Sequence, residues 1–163
     1  MNFVDKPTFH WRMLEDIFIT GQKGFGKTTR CKRILDLIKL QFAFFNWSQQ
    51  RPIEKYGGNG HIVRDINQLK HGQYIYAGND WSDEAFIKFL KKAFTKMRNI
   101  VLILDNIHER TTKQYVLKEL NSLVFSGRNR GIYYVFITIW SGSVPNYLLA
   151  NVAYVCLQVC VRD

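Results

Sequence analysis

Short aliphatic runs alternate along this chain with longer segments whose apolar residues recur every three to four positions. Residues 16–20 (Asp-Ile-Phe-Ile-Thr) read as a buried strand that runs into a glycine-rich loop. A helix is expected from Lys27 to about Lys39, with Ile34, Leu35 and Ile38 at helical spacing and Lys32, Arg33 and Lys39 on its other faces. Residues 42–45 form a second short strand. Residues 47–72 carry little periodicity, and Arg51-Pro52 and Gly57-Gly58-Asn59-Gly60 punctuate them as loop around a short strand at His61–Val63. Residues 73–76 read as another strand.

Ser82 suits a helix N-cap, with Asp83 and Glu84 in the first turn where the helix dipole favours negative charge. Phe86, Leu90, Ala93 and Met97 then make one apolar stripe, and Lys88, Lys91, Lys92 and Lys96 crowd the rest of that helix. Ile100–Leu104 is a continuous aliphatic run, the pattern of a central parallel strand covered on both faces. Thr111 with Gln114 resembles a capping box for a helix through about Phe125 that buries Val116, Leu120 and Leu123 and stops at Gly127. Residues 132–139 and 152–159 are the last two strands. Strands alternating with helices predict a three-layer α/β domain with a mostly parallel central sheet and helices on both faces. No linker divides the chain, so residues 1–163 are expected to form a single domain.

Composition narrows the class. With 47% hydrophobic residues the chain can build a full core. The formal charge of +10 points to an anionic partner such as nucleic acid, or to a solubilising surface. Cys31, Cys156 and Cys160 form no CxxC pair, which predicts neither a disulfide framework nor a zinc site. The N-terminal residues show no long apolar run of a signal peptide, and the longest apolar stretches are too short to span a bilayer. A soluble, cytoplasmic protein is expected.

The chemistry enters at Gly21-Gln22-Lys23-Gly24-Phe25-Gly26-Lys27-Thr28, followed by Thr29, which matches G-x-x-x-x-G-K-[ST] between a strand and a helix. Glycines let the backbone wrap a phosphate with its N–H groups inward, and the helix N-terminus adds partial positive charge. Lys27 would reach the β- and γ-phosphates, and the Thr28 hydroxyl would bind Mg²⁺. This P-loop predicts a three-layer P-loop NTPase that binds ATP or GTP with Mg²⁺.

Downstream, Asp105 closes the aliphatic strand Ile100–Leu104, at the sheet end where open α/β sheets bind ligands. It is the second candidate Mg²⁺ ligand. The next residue, Asn106, cannot serve as the base that orients an attacking water, and Glu109 and His108 are the nearby alternatives; both also read as solvated loop residues.

The segment Gly127-Arg128-Asn129-Arg130-Gly131 leads into an apolar strand ending at Thr138-Ile139-Trp140, followed by Val144-Pro145, Leu148-Leu149 and Asn151. This resembles the C-terminal half of the FtsK–HerA class of RecA-like motor ATPases, and most closely the compact genome-packaging ATPases of DNA viruses. The resemblance implies ATP hydrolysis by a homo-oligomeric ring that moves double-stranded DNA, with virion or capsid-vertex partners and a location in host cytoplasm or virion. It implies that Arg128 or Arg130 is an arginine finger acting on a neighbouring subunit's γ-phosphate, and that Thr138 marks the sensor strand end. The class usually carries glutamine there, whereas this chain offers Ile139 and Trp140. The plainer reading of Arg128 and Arg130 is a basic turn at a helix end.

DNA contact by the lysine helix, by Arg51, Lys55 and Arg64, and stacking by Trp47, Tyr56 and Trp81 are further expectations, each set against ordinary surface or packing roles. A small nucleotide or nucleoside kinase and a nucleotide-binding assembly switch with weak or no hydrolysis are the competing functions.

Overall fold

The computed structural model describes residues 16–38, 43–47, 61–68, 74–76, 79–139, 142, 144–150, 152 and 154–158. Seven strands form one sheet in the order β3-β4-β2-β5-β6-β1-β7, and every pairing is parallel. They are β1 (Ile17–Gly21), β2 (Ala43–Trp47), β3 (His61–Val63), β4 (Tyr74–Tyr76), β5 (Ile100–Leu104), β6 (Ile132–Thr138) and β7 (Tyr154–Gln158). The helices are α1 (Lys27–Ile38), α2 (Asp83–Lys96), α3 (Gln114–Gly127) and α4 (Asn146–Ala150).

Side-chain alternation along the central strands divides the core in two, as the period of a strand requires. On one face Ile17, Ile19, Val101, Ile103, Val135 and Ile137 pack with Cys31, Ile34 and Leu35 of α1. On the other, Phe18, Leu102, Leu104, Tyr134 and Phe136 pack with the apolar stripes of α2 and α3 and with Leu148 of α4. The stripe expected on α2 is buried, with Phe86, Leu90 and Ala93 at 0% exposure and Met97 at 2%, and Phe89, at 0%, joins it. Full burial of each large apolar side chain contributes about 1.5–3 kcal/mol, so this helix is fastened by its inner face rather than by helix propensity. Ser82 caps it as expected, its Oγ accepting from the Ala85 N–H at 3.2 Å.

One helix-end expectation needs correction. The Thr111–Gln114 capping box does not form: α3 starts at Gln114 with Lys113 at the N-cap and no side-chain cap bond. The backbone N–H groups of Arg110 and Thr111 instead close a tight turn onto Ile107 O, and the Thr111 hydroxyl donates to His108 O at 3.3 Å. Tertiary bonds to Asp83, described below, hold that segment before the helix can begin. The helix stops at Gly127 as expected; the φ of −66° there is still helical, and a short turn Arg128–Arg130 continues to Gly131, which takes the left-handed conformation at φ 69°. Gly127 answers a packing demand, because a Cβ there would collide with the Tyr134 hydroxyl. That hydroxyl donates to Leu123 O at 2.6 Å in the last turn of α3, and burial holds its pKa far above the ordinary tyrosine value.

Candidate active site: a phosphate cleft at the carboxyl edge of the sheet

Because all strands run the same way, the residues that follow β1, β5 and β6 emerge at one edge of the sheet. Strand β6 lies between β1 and β5, so the loops after β1 and β5 flank it and open a crevice. A cleft of about 510 Å³ lies there, lined by Gln22, Lys23, Gly24, Gly26, Lys27 and Thr28 from the first loop, by Asp105, Asn106, His108 and Glu109 from the second, and by Ile139 after β6.

The loop between β1 and α1 is shaped for an anion. Gly24 (φ +91°) and Gly26 (φ +74°) sit in backbone conformations that L side chains rarely adopt, and the space a Cβ would take beside each is open. The Lys27 ammonium donates to Gly21 O at 2.6 Å and Gln22 O at 2.8 Å, which holds it across the mouth of its own loop. Neutral carbonyls are weaker partners for an ammonium than phosphate oxygens are, so these bonds can exchange for bonds to a nucleotide. The first turn of α1 starts at Lys27, with Arg30 N–H already donating to Gly26 O at 2.8 Å. Phe25 is half-buried at the back of the loop and Thr29 is exposed; neither lines the cleft.

Asp105 is 8% exposed and faces the loop, its Oδ1 accepting from the Asn106 N–H at 2.9 Å. Thr28 and Asp105 thus supply a hydroxyl and a carboxylate to one cleft, an oxygen donor set that fits a hard divalent cation beside phosphates. Asn106 turns the chain sharply in the left-handed region at φ 55°, and Ile107–Glu109 form a tight turn that brings His108 and Glu109 to the rim. Both were candidate solvated loop residues; Glu109 is exposed, whereas His108 is half-buried and bonded to Thr138 across 3.0 Å.

This second loop is locked from behind. Asp83, 6% exposed in the first turn of α2, receives bonds from Arg110 (2.6 Å), Tyr115 (2.9 Å) and Lys113. Arg110 also donates to Trp81 O and lies 5.7 Å over the Phe86 ring. Burial alone would raise the Asp83 pKa, but the bonds from Lys113, Arg110 and Tyr115 outweigh it and bring it down to about 2. The cluster ties the start of α2 to the start of α3 and fixes the segment that carries His108 and Glu109.

A P-loop, an acidic strand end with one strand between them and a sheet that is parallel throughout form the frame of a nucleotide-hydrolysing domain. The family of ATPases associated with various cellular activities (AAA) matches residues 17–138, from the first residue of β1 to the last of β6. The chain belongs to the AAA family. It is a P-loop ATPase with the RecA-like α/β fold expected from its sequence. No curated protein sequence matches it. Its fold is similar to that of the genome packaging NTPase B204 from Sulfolobus turreted icosahedral virus 2 in complex with AMPPCP, at TM-score 0.76 and 15% identity over 91% of this chain and 76% of that one. The DNA-packaging ATPase B204 from Sulfolobus turreted icosahedral virus is similar at TM-score 0.67 and 19% identity, over 91% of this chain and 77% of that one. The cytoplasmic domain of EssC is similar at TM-score 0.60 and 19% identity, over 91% of this chain and 32% of that one.

The remaining expected site residues of this AAA ATPase do not join the cleft. Thr138 is fully buried at the end of β6, in register with Thr20. Arg128 and Arg130 precede β6 and therefore lie at the opposite edge of the sheet, about 20 Å away at the usual rise of a strand. Arg128 Nη2 lies 3.6 Å from Asp16 Oδ2, with its side chain half-exposed. Arg130 packs at 4.7 Å over the Phe94 ring and donates to Thr95 O at 3.3 Å; its pKa is lowered by desolvation and then by Arg98.

On α2, Lys91 pairs with Glu119 at 3.2 Å and Lys92 donates to Asn67 O at 2.6 Å, while Lys88 and Lys96 are exposed. Arg64 is exposed; Arg51, Lys55, Tyr56, Trp140 and the side chain of Trp47 lie outside the described residues. Trp81 packs edge-on against Tyr76 at 5.3 Å, in line with the packing role set against base stacking. No helix among the described residues is long and apolar enough to cross a membrane.

Proposed function

We propose that this ATPase is a motor of the FtsK–HerA class that works as a homo-oligomeric ring, uses Mg·ATP and translocates double-stranded DNA during packaging of a viral genome. The observation that carries the reading is the division of charge between the two sheet edges. Among the described residues the cleft gathers Lys23 and Lys27 but no arginine, and Arg128 and Arg130 are too distant to reach it within one subunit. Two arginines covering the phosphates from within one chain, as the kinase reading requires, are therefore disfavoured. A neighbouring subunit that presents its arginine edge to the cleft completes it, and the half-exposed Arg128 is the better-placed finger. The formal charge of +10 and the fold shared with a packaging NTPase support DNA as the partner.

In this reading the loop N–H groups from Gln22 to Thr28 bind the phosphates, and Lys27 spreads its charge over the β- and γ-oxygens. Thr28 and Asp105 hold Mg²⁺, which when bound neutralises phosphate charge. Glu109, at the rim, is the carboxylate available to orient water; Asn106 occupies the position beside Asp105 and accepts no proton. That substitution keeps the slow nucleotide switch as the second reading, in which the same cleft binds ATP to order a virion assembly. A ring motor must tolerate any sequence, so its DNA contacts go to the backbone and are expected to weaken steeply with salt.

Steady-state ATP hydrolysis measured with and without double-stranded DNA, across a range of protein concentrations, tests the proposal. A motor shows DNA stimulation that steepens with protein concentration. Hydrolysis indifferent to both contradicts it, and tight nucleotide binding without turnover favours the switch.

A further inference from the structure

Strand β6 ends beside the cleft in two unlike residues. Thr138 is fully buried, and the next residue, Ile139, is 46% exposed and lines the cleft. An aliphatic side chain cannot report on a phosphate charge. The polar contact passes instead to the neighbouring loop: Thr138 Oγ1 lies 3.0 Å from His108 Nδ1, and His108 lines the same cleft as Lys27, Thr28 and Asp105.

We propose that His108 is the residue of this chain that distinguishes a triphosphate from a diphosphate, by donating a hydrogen bond from Nε2 to the γ-phosphoryl group, with Thr138 as its positioning residue. The proposal rests on the phosphate-cleft reading above. With Nδ1 engaged by Thr138, Nε2 is the only polar ring atom left to face a ligand. Anionic phosphates favour the tautomer whose Nε2 carries the proton, since an N–H aimed at an oxyanion is attracted and a lone pair is repelled. The Thr138 hydroxyl then donates to Nδ1, which leaves the ring no freedom to invert.

The backbone beneath is equally fixed. The Glu109 N–H donates to Asn106 O at 3.0 Å, the Arg110 N–H to Ile107 O at 2.9 Å, and the Arg110 guanidinium to Asp83. A histidine on a turn held from both sides, with its inner nitrogen bonded to a buried hydroxyl 30 residues away, is placed for a directional contact rather than left as a solvated loop residue.

The test compares the full chain with His108→Ala, His108→Gln, Thr138→Val and the His108→Ala/Thr138→Val double variant, after thermal unfolding has confirmed that each is folded. Binding of ATP and ADP is measured by competition with a fluorescent nucleotide, and kcat and KM are measured for ATP. Loss of a hydrogen bond to a charged group predicts that His108→Ala lowers kcat by about 10- to 100-fold and erodes the preference for ATP over ADP, while ADP affinity stays within about 2-fold. His108→Gln, whose amide also donates, recovers much of the preference. Thr138→Val shows a smaller loss, about 3- to 10-fold, and adds nothing to His108→Ala because it acts through that ring.

A His108→Ala variant with unchanged kcat and unchanged ATP-over-ADP preference overturns the proposal. So does equal loss of ATP and ADP affinity, or a double variant whose losses multiply. Nucleotide discrimination is read without DNA and without assembly, so failure of the motor reading leaves this result interpretable. A wild-type chain that binds neither nucleotide removes the cleft reading itself before any variant is compared.

Discussion

The two edges of the sheet carry their charges in opposite ways. At the carboxyl edge Lys27 is held by neutral carbonyls of its own loop, beside two glycines whose outward space is open. At the amino edge Asp16, 1% exposed, accepts from the Tyr134 N–H at 2.9 Å and faces Arg128, while Arg130 packs over the Phe94 ring. The first edge is arranged to exchange partners and the second to keep them. A group arranged for exchange costs little stability to remove and much activity, and a group buried among fixed partners does the reverse. Arg128 belongs to both descriptions: it faces the buried Asp16, yet its own side chain is half-exposed and leaves surface for another contact.

The largest expected effect tests the carboxyl edge. Lys27→Ala should lower ATP turnover by on the order of 100-fold or more and leave thermal stability nearly unchanged; a large loss of stability would show that the ammonium fastens the loop rather than awaits phosphate. Next comes the cluster behind the cleft. Asp83→Ala strands Arg110 in a buried setting and should cost about 3 kcal/mol in urea unfolding. A loss of only a few tenths would mean that the cluster is no clamp.

Acid tests the same carboxylate without mutation. Asp83 is about 2 in the folded chain and about 3.8 when unfolded, so its contribution is fully present above pH 4 and disappears as pH falls toward 2. Stability should decline by about 2 kcal/mol over that window, and the Asp83→Asn chain should lack that component of the decline. Arg128→Ala should cost under about 1 kcal/mol, since the ion pair is long and half-exposed; a greater cost would assign the residue wholly to the fold. Smallest of all is Lys91→Ala, which removes an exposed pair with Glu119 and should change unfolding by at most about 0.5 kcal/mol.

Features set by neighbouring residues were legible before the structure. The strand–loop–helix frame of Gly21 to Thr28, the buried run Ile100–Leu104 and the stripe on α2 follow from local period and motif, and each stands where the pattern placed it. Features set by distant pairs were not. His108 and Thr138 are 30 residues apart, and Asp83 meets Arg110, Lys113 and Tyr115 across 27 to 32 residues. Nothing in their spacing announces the contact. Local signals also lost where tertiary bonds competed, as at Thr111, whose hydroxyl bonds His108 O instead of capping α3. The placement of Arg128 and Arg130 opposite the cleft follows from the parallel sheet already expected, because both precede β6 while the P-loop and Asp105 follow their strands.

The central claim, that one subunit's carboxyl edge is completed by another's amino edge, is tested most directly by mixing two inactive variants. Lys27→Ala subunits keep the arginine edge and Arg128→Ala subunits keep the cleft. The account predicts that each hydrolyses ATP poorly alone and that the mixture exceeds the sum of the two, because some interfaces then hold one intact half from each. A mixture that never exceeds that sum, or an Arg128→Ala chain that turns over ATP like the wild type at every concentration, would contradict it.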